Sequence, residues 1–494
     1  MPLDQFLPAT HTWFSQTLGQ PTPPQAQGWP AIQAGDHTLI LAPTGSGKTL
    51  TAFLWGIDQL FRELTAHASD QLTNPPPDQA TKRRRKPKPT TRLLYISPLK
   101  ALNNDIERNL RTPLAGIRQV ARQMGKELPE VEVAVRSGDT PQRERQAMLR
   151  RPPHILITTP ESLYLMLTSP KVRELFQTVR TVIVDEIHTL VGSKRGVHLS
   201  LSLERLQKLA AQPIQRIGLS ATIQPLAEAA RFLGGNEWED GLRQAQPAEG
   251  ALPTADADRQ LSLSKPRPVT IVNAAYQKAL DLQVETVVDD FRNLPDDSIW
   301  PVLIPRVVEQ IQQHNTTLVF VNDRRAAERA ADRINAQMYG QENENEGGLR
   351  QDGVAHGLGM FAAGKGTIAN PIRAHHGSMS KETRLAIERD LKAGKLPALV
   401  GTSSLELGID IGAIDLVVQI QSPKSVAQGL QRVGRAGHLV GQTSRGRIYP
   451  THSEDVMEAA AVAGGMLRGE VEPTHTPRNA LDVLAQQIVA MVSV

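Results

Sequence analysis

The sequence predicts an α/β protein with two halves, each built on a parallel sheet that is covered by helices. Short, nearly all-apolar runs, such as Leu93–Ile96 and Thr181–Val184, alternate with longer stretches of helical character. A polar motif directly follows almost every run in the first half. Because ligands of parallel sheets bind at the carboxyl ends of the strands, these motifs mark the expected site. A second alternating series begins at Thr317 and predicts the second half.

Composition describes a globular protein with a weak basic bias. The 494 residues exceed one ordinary core, and the length alone favours roughly three domains. A net charge of +4 permits a polyanionic partner without demanding one. The absence of cysteine excludes disulfides, a catalytic thiol and metal clusters held by cysteine. Neither a leader segment nor an apolar run of membrane-spanning length is evident, so we expect a cytoplasmic protein without a membrane partner.

A phosphate-binding loop is predicted at 39–49, where an apolar strand breaks into a glycine-bearing turn before a helix at 50–64. Its glycines let backbone N–H groups surround phosphates, Lys48 reaches the β and γ phosphates, and the Thr49 hydroxyl ligates Mg²⁺. The first position of the usual pattern is Ala42 instead of glycine, and a chance glycine turn is the alternative. The residues assigned to the nucleotide are Thr44, Gly45, Ser46, Gly47, Lys48 and Thr49.

An acidic pair, Asp185-Glu186, ends the run that begins at Thr181. Two carboxylates at the end of a buried strand are costly unless they face a cation or a solvated ligand. We therefore expect Asp185 to hold Mg²⁺ through its hydration shell and Glu186 to orient and deprotonate an attacking water. A solvated turn is the alternative interpretation.

His188 follows the acidic pair, and taken alone it would be a packed core histidine. The run Ser220-Ala221-Thr222 ends the next strand, so its hydroxyls are expected to bond His188 across the sheet. This contact would sense the γ-phosphate. The alternative role of Ser220 and Thr222 is to cap the helix that begins near Pro225.

The second half carries a run of glycine and arginine at 431–438. Charge that develops on a transferred phosphoryl group calls for a cation, and Arg435 or Arg432 can supply it. A surface loop without contacts is the alternative.

Several segments are predicted to connect or extend these halves. We expect surface insertions at 74–91, which holds a basic run, and at 340–370, and a linker at 234–263. A final helix should begin after Asn479 as its N-cap and carry an apolar face. That face must be covered either by the second half or by a following domain. Its residues are Leu481, Leu484, Ile488 and Met491.

Taken together, the motifs resemble a superfamily 2 helicase of the DEAD/DEAH-box type. Within that superfamily, the runs 317–325, 374–378, 401–410 and Gly437-His438 resemble the large helicase-related (Lhr-type) proteins. The runs that match the superfamily, in its order, are 42–49, 97–102, 159–161, 185–188, 220–222, 401–412 and 431–437.

The resemblance implies two RecA-like domains, an ATP-binding domain at 1–262 and a helicase C-terminal domain at 263–455. It implies that 456–494 is the incomplete beginning of a winged-helix-like region. The implied activity is ATP-dependent, 3′-to-5′ translocation on single-stranded DNA with separation of DNA or RNA:DNA duplexes. An RNA helicase and an ATP-gated nucleic-acid clamp that does not unwind are the alternatives.

The resemblance also assigns roles to single residues. Gln25 is implied in adenine recognition, although a proline turn that caps a helix is the simpler interpretation of its surroundings. Gly408 and Asp410 are implied in nucleotide sensing. His438 departs from the pattern, because many DEAD-box proteins have a third arginine there. Gln431, Arg432 and Arg435 are implied in phosphate contacts, and Pro98, Lys100, Thr159, Arg324, His376 and Thr402 in contacts to the nucleic-acid backbone.

Overall fold

The computed structural model describes residues 2–43, 45–73, 90–98, 100–238, 264–274, 279–340, 371–406, 412–437 and 442–493. Thr44, Gly408, Asp410 and His438 lie outside these ranges, as do most of the predicted linker and insertions. The chain divides into two compact units, Met1–Tyr276 with Pro473–Val494, and Gln277–Glu472. Among the described residues, no helix has the length and apolar character needed to cross a membrane.

The first unit is built on a seven-stranded parallel sheet with strand order β3-β4-β2-β5-β6-β1-β9. Its central strands are buried along nearly their whole length, as expected for a sheet with helices on both faces. A separate antiparallel pair is formed by β7 (Asn236–Trp238) and β8 (Ser264–Pro266). The sheet strands are β1 (His37–Leu41), β2 (Leu93–Ile96), β3 (Val133–Arg136), β4 (Ile155–Thr158), β5 (Thr181–Val184), β6 (Gln215–Ser220) and β9 (Val269–Asn273).

Helices cover both faces of this sheet and enclose two apolar cores. One core contains Trp29, Phe53 and Tyr95, and the other contains Leu39, Phe176 and Leu203. The helices are α1 (Pro8–Thr17), α2 (Pro23–Ala34), α3 (Lys48–Thr73), α4 (Lys100–Gln123), α5 (Gln142–Arg150), α6 (Pro160–Leu167), α7 (Pro170–Arg173), α8 (His188–Val191), α9 (Lys194–Leu209) and α10 (Leu226–Gly234).

The second unit has a six-stranded parallel sheet of order β10-β15-β14-β11-β13-β12. Its elements are α11 (Trp300–Gln312), α12 (Arg324–Tyr339), α13 (Lys381–Lys392), α14 (Val426–Val433), α15 (Ser453–Arg468), β10 (Leu280–Val284), β11 (Thr317–Phe320), β12 (Arg373–His375), β13 (Ala398–Gly401), β14 (Leu416–Ile420) and β15 (Ser444–Tyr449).

Local sequence explains where several helices begin. A side-chain oxygen at the N-cap accepts a hydrogen bond from a backbone N–H of the first turn, which satisfies a donor that the helix leaves open. The residues that cap in this way are Thr159 for α6, Ser193 for α9, Asp323 for α12, Ser380 for α13 and Ser425 for α14.

The fold class and the quoted strands are confirmed, and the first helix is longer than predicted, at Lys48–Thr73. The compact units differ from the predicted domain bounds, which stay predictions. Strand β9 pairs with β1 of the first sheet, although it follows residue 262. The segment 456–494 is divided, since α15 packs on β10 and α14 of the second unit and the final helix lies in the first unit.

The final helix, α16 (Leu481–Val492), corrects two predictions. Its N-cap is Ala480 instead of Asn479, which has a positive φ of 54°. It buries Val483, Gln487 and Ala490 and packs on α9, so it does not fold back onto the second half. The predicted apolar face is exposed: the accessible fractions are 69% for Leu481, 44% for Leu484, 46% for Ile488 and 49% for Met491.

Candidate active site

The phosphate loop follows β1 directly and leads into α3. Gly45 and Gly47 have φ angles of 81° and 85°, a region that side chains disfavour and that glycine adopts freely. The Ser46 hydroxyl donates to the Pro43 carbonyl at 2.7 Å, which closes the turn. Lys48, at the start of α3, is buried. Gly45 and Gly47 therefore adopt the turn geometry that the sequence predicts, while phosphate binding by the loop stays a prediction.

Gln25 lies against this loop and also completes a local cap. Its Oε1 accepts from the Thr22 N–H at 2.9 Å, and α2 begins at Pro23, so the helix-capping interpretation is correct. The Thr22 hydroxyl donates to the Ser46 carbonyl at 2.8 Å. A Cβ on Gly47 would lie 2.8 Å from Gln25 Nε2. The carboxamide thus borders the loop, while adenine recognition by Gln25 stays a prediction.

The acidic pair lies at the carboxyl end of β5, and both side chains are buried. Asp185 Oδ1 accepts from the Glu186 N–H at 2.8 Å, and Oδ2 accepts from the Tyr95 hydroxyl. Burial raises the pKa of Asp185 to about 6, and the Glu186 carboxylate adds to this shift, whereas Lys48 opposes it. The two close, buried carboxylates therefore repel each other when both are ionised.

These residues fit a nucleotide-bound Mg²⁺. A cation would offset the cost of the buried Asp185 charge, whose pKa is raised by burial and further by the Glu186 carboxylate. In the described part of the chain, no group of three or more His, Cys, Asp or Glu side chains is placed to hold a metal. A small number of protein ligands is sufficient for Mg²⁺, because this ion usually keeps several waters and binds one or two protein oxygens together with substrate phosphates. Thr49 would supply a direct oxygen ligand, and Asp185 would hold the cation through its bound waters.

His188 contacts the end of the neighbouring strand β6, as predicted. Its Nδ1 lies 3.3 Å from Ser220 Oγ and 3.5 Å from Glu186 Oε2. Burial lowers the pKa of His188, the Glu186 carboxylate opposes that shift, and Lys48 adds to it. The capping alternative is wrong, because Pro225 is the N-cap of α10 and no side chain caps that helix.

Thr222 does not bond His188. Its hydroxyl and the Nε2 atom of His188 are buried without a hydrogen-bond partner in the described part of the chain. Unpaired buried polar atoms are costly, and they mark places where a ligand or water completes the bonding. Both belong to the carboxyl edge of the sheet that carries the phosphate loop.

In the second unit, Arg432 is held by a buried polar network. Its Nε donates to Glu406 Oε1 at 2.7 Å, and its Nη1 donates to Gln419 Oε1 at 2.8 Å and Asn322 Oδ1 at 3.0 Å. The guanidinium also lies 5.3 Å from the centre of the Phe320 ring. Most of its donors are thus used inside this unit.

Arg435 is also buried, and its Nη2 donates to the Glu406 carbonyl oxygen at 2.6 Å. One residue, Glu406, therefore contacts both arginines, through its carboxylate and its backbone. Gln431 is half-buried on α14. Phosphate contacts by Gln431, Arg432 and Arg435 stay predictions.

The nucleic-acid residues predicted in the first unit lie after neighbouring strands. Pro98 follows β2, Lys100 begins α4, and Thr159 follows β4 and caps α6. Arg195 joins two of these segments, because its Nη2 donates to the Pro98 carbonyl at 2.7 Å and to Glu161 Oε2 at 3.1 Å.

The nucleic-acid residues predicted in the second unit also lie beside one another. His376 Nε2 lies 3.0 Å from Glu328 Oε1, and the Ser378 N–H donates to His376 Nδ1 at 3.3 Å. Arg324 donates to the Ser378 hydroxyl. The Thr402 N–H donates to the His375 carbonyl at 3.3 Å, which brings Thr402 next to His376. The structure thus groups Arg324, His376 and Thr402, while their contact to nucleic acid stays a prediction.

Sequence reasoning missed Tyr95, Arg195 and Glu406. Tyr95 had only a partial signal: its place on an apolar strand is visible in the sequence, but its register with Ile183, two residues before Asp185, comes from the structure. Arg195 and Glu406 had none, because their contacts join segments far apart in sequence.

Two family models match the chain. The model described as DEAD/DEAH box helicase matches residues 22–230, and the model described as helicase conserved C-terminal domain matches residues 359–439. The chain belongs to the DEAD/DEAH box helicases. The matched residues include the phosphate loop and the acidic pair of the first unit and both arginines of the second.

Curated relatives place the chain near the Lhr type within that family. It is 47% identical over 502 residues to the Lhr helicase/probable uracil glycosylase of Mycolicibacterium smegmatis, covering 100% of this chain and 30% of the relative. It is 41% identical over 480 residues to the ATP-dependent helicase Lhr-Core of Methanocaldococcus jannaschii, covering 97% of this chain and 47% of the relative. The chain thus spans less than half the length of these relatives.

One solved structure agrees with this placement. The structure of Mycobacterium smegmatis helicase Lhr bound to ssDNA and AMP-PNP matches with a TM-score of 0.78 and 46% identity, over 99% of this chain and 53% of that one. The structure of Mss116p bound to ssRNA and AMP-PNP matches with a TM-score of 0.64 at 14% identity, over 99% of this chain and 82% of that one. The second likeness concerns the fold alone.

Proposed function

We propose that this chain is the ATP-driven motor of an Lhr-type helicase. It hydrolyses ATP with Mg²⁺, moves on single-stranded DNA in the 3′-to-5′ direction and separates DNA or RNA:DNA duplexes. The observation that carries the proposal is the carboxyl edge of the first sheet, where the phosphate loop, the buried acidic pair and the His188–Ser220 contact follow β1, β5 and β6. The choice of DNA is supported by the related helicase bound to ssDNA.

Each part of this edge suits a step of ATP hydrolysis. The loop's N–H groups and Lys48 bind the phosphates and neutralise their charge. Mg²⁺, when bound, adds further charge neutralisation at the β and γ phosphates. Glu186 orients the attacking water and accepts its proton, and water attack on the γ-phosphorus releases ADP and phosphate.

His188 suits a sensor of the nucleotide. It is held neutral by burial, it contacts both Glu186 and Ser220, and its Nε2 remains open among the described residues. A phosphate or water that bonds this atom would change the bonding at the end of β6. ATP hydrolysis would thereby be linked to a neighbouring strand of the same sheet.

The test is the steady-state ATPase rate of the purified chain without nucleic acid, with single-stranded DNA and with single-stranded RNA. We expect strong stimulation by DNA and its loss in Glu186→Gln, which keeps the side-chain shape and removes the base. A stronger response to RNA would favour the RNA-helicase alternative. Failure of both polymers to bind or to change the rate would overturn the proposal.

A further inference from the structure

Tyr95 lies in the centre of the first unit, and its hydroxyl meets the acidic pair. The residue is on β2, is fully buried and donates a hydrogen bond to Asp185 Oδ2. Strands β2 and β5 are neighbours, with Tyr95 in register with Ile183. Tyr95 therefore lies on the same face of the sheet as Ile183 and Asp185, within reach of the Asp185 carboxylate.

Both oxygens of Asp185 are bonded within the unit. Oδ1 accepts from the Glu186 N–H at 2.8 Å, and Oδ2 accepts from Tyr95. Two donors on different oxygens fix the rotation of a carboxylate, which one donor does not. Each oxygen keeps a second lone-pair position for a further partner. Tyr95 thus restricts the orientation of Asp185 without occupying all of its acceptor capacity.

The ring of Tyr95 is fixed by the helix of the phosphate loop. It stacks on Phe53 with 5.1 Å between ring centres and 27° between planes. Phe53 lies on α3, which begins at Lys48. One side chain consequently contacts the helix that follows the phosphate loop and the carboxylate that ends β5.

We propose that Tyr95 is a positioning residue whose hydroxyl holds the Asp185 carboxylate in the orientation that receives the hydrated Mg²⁺ of bound nucleotide. This inference rests on the proposed function, because it needs a nucleotide with Mg²⁺ at this edge. Partners that orient metal-binding side chains typically change metal affinity or activity by 10- to 100-fold when they are removed. Tyr95 acts through Asp185 and does not itself contact the cation.

The test is Tyr95→Phe, which removes one oxygen and retains the ring that stacks on Phe53. Tyr449→Phe is the matched control, because Tyr449 is also fully buried and lies with its hydroxyl 3.4 Å from Glu285 Oε2, in the second unit. Binding of a fluorescent ADP analogue is titrated with Mg²⁺ and repeated in EDTA. ATPase rates are then measured against Mg²⁺ concentration.

In Tyr95→Phe, we expect half-maximal binding to need about tenfold more Mg²⁺, with affinity in EDTA unchanged. The ATPase should show a higher KM for Mg²⁺, and kcat should return close to that of wild type at saturating Mg²⁺. Tyr449→Phe should match wild type in every measurement. A variant that merely lost stability would weaken binding in EDTA as well.

A double variant tests whether Tyr95 affects the Mg²⁺ requirement through Asp185 or in some other way. In an Asp185→Asn background, adding Tyr95→Phe should change the Mg²⁺ requirement no further, because both substitutions remove the same interaction. A further change, or a Mg²⁺ requirement in Tyr95→Phe equal to that of wild type, would overturn the inference. If wild type itself bound nucleotide without any dependence on Mg²⁺, the proposed function would fail first and the inference with it.

Discussion

Replacing Asp185 by asparagine should stabilise the protein when nucleotide and Mg²⁺ are absent. The ionised carboxylate is buried beside Glu186, and its pKa is raised from 3.8 to about 6. Ionising it in the folded protein is therefore harder than in the unfolded chain. An asparagine has nearly the same shape and carries no charge, so the substitution removes this cost.

The size of the expected stabilisation follows from the shift in the pKa of Asp185. A difference of about 2 pKa units corresponds to roughly 3 kcal/mol in the free energy of unfolding at pH 7.5. Asparagine has one acceptor oxygen where Asp185 has two, and the loss of one hydrogen bond costs about 1 kcal/mol. A net gain of about 2 kcal/mol is expected for Asp185→Asn.

The stability gained by Asp185→Asn must depend on pH. Because the folded-state pKa lies above the unfolded value, the folded protein keeps a proton that the unfolded chain releases between about pH 4 and 6. The cost of ionisation is therefore absent below that window and complete above it. At pH 5 roughly half of the cost remains, so the advantage of the variant should shrink from about 2 to about 0.5 kcal/mol once the lost hydrogen bond is counted.

Urea unfolding in EDTA at pH 7.5 and pH 5 measures this difference. Tryptophan fluorescence reports mainly on the first unit, which contains Trp13, Trp29, Trp55 and Trp238 out of five tryptophans. Asp58→Asn is the control. Buried Asp58 accepts a hydrogen bond from Arg62 Nε at 2.8 Å, so its replacement should destabilise the protein. A gain as large at pH 5 as at pH 7.5, or none at pH 7.5, would refute the reasoning.

Three further substitutions test single contacts. Glu406→Ala should lower the free energy of unfolding of the second unit by about 3–5 kcal/mol, measured in urea, because the buried Arg432 guanidinium loses its charged partner. Gly47→Ala should weaken binding of a fluorescent ADP analogue strongly, because Gly47 has a φ of 85° that alanine adopts only with strain and its Cβ would displace Gln25 Nε2. Arg195→Ala should weaken single-stranded DNA binding, measured by anisotropy, without changing nucleotide affinity. The reason is that the substitution releases both the Pro98 carbonyl and the Glu161 carboxylate.

Matched variants sharpen these tests. Glu406→Gln keeps an acceptor for Arg432 and should cost less than Glu406→Ala. Gly340→Ala places a methyl group 3.9 Å from its nearest neighbour and should leave nucleotide binding intact. Arg180, half-exposed and paired with Glu63, precedes β5 at the opposite edge of the sheet, so Arg180→Ala should bind DNA normally. Equal DNA affinity in Arg195→Ala and wild type would contradict the role given to Arg195.

The central strands and the motifs after them were predictable because burial on both faces demands uninterrupted apolar runs. Strand β3 lacks this signal, since all four of its residues are half-buried. Strand β9 mixes exposed and buried residues and follows the segment interpreted as a linker. The packing of α16 on α9 was not predicted, because the residues that α16 buries include a polar one, Gln487, which bonds to Arg205 and Ser202.

The candidate site was predictable in its residue types and less so in its contacts. Spacing and chain order identified the loop, the acidic pair and the His188–Ser220 contact. The engagement of Arg432 by Asn322 was not predictable, because 110 residues separate them. In the sequence, Tyr95 looks like an ordinary core residue of an apolar strand. Only the strand register of the structure brings its hydroxyl to Asp185.

Directional movement is tested most directly by displacement of streptavidin from single-stranded DNA biotinylated at either end. A 3′-to-5′ motor should clear streptavidin from the 5′ end in an ATP-dependent manner and leave the 3′ end occupied, and Glu186→Gln should clear neither. This readout needs no duplex and separates movement from unwinding. DNA-stimulated ATP consumption without displacement from either end would contradict the motor and favour a clamp.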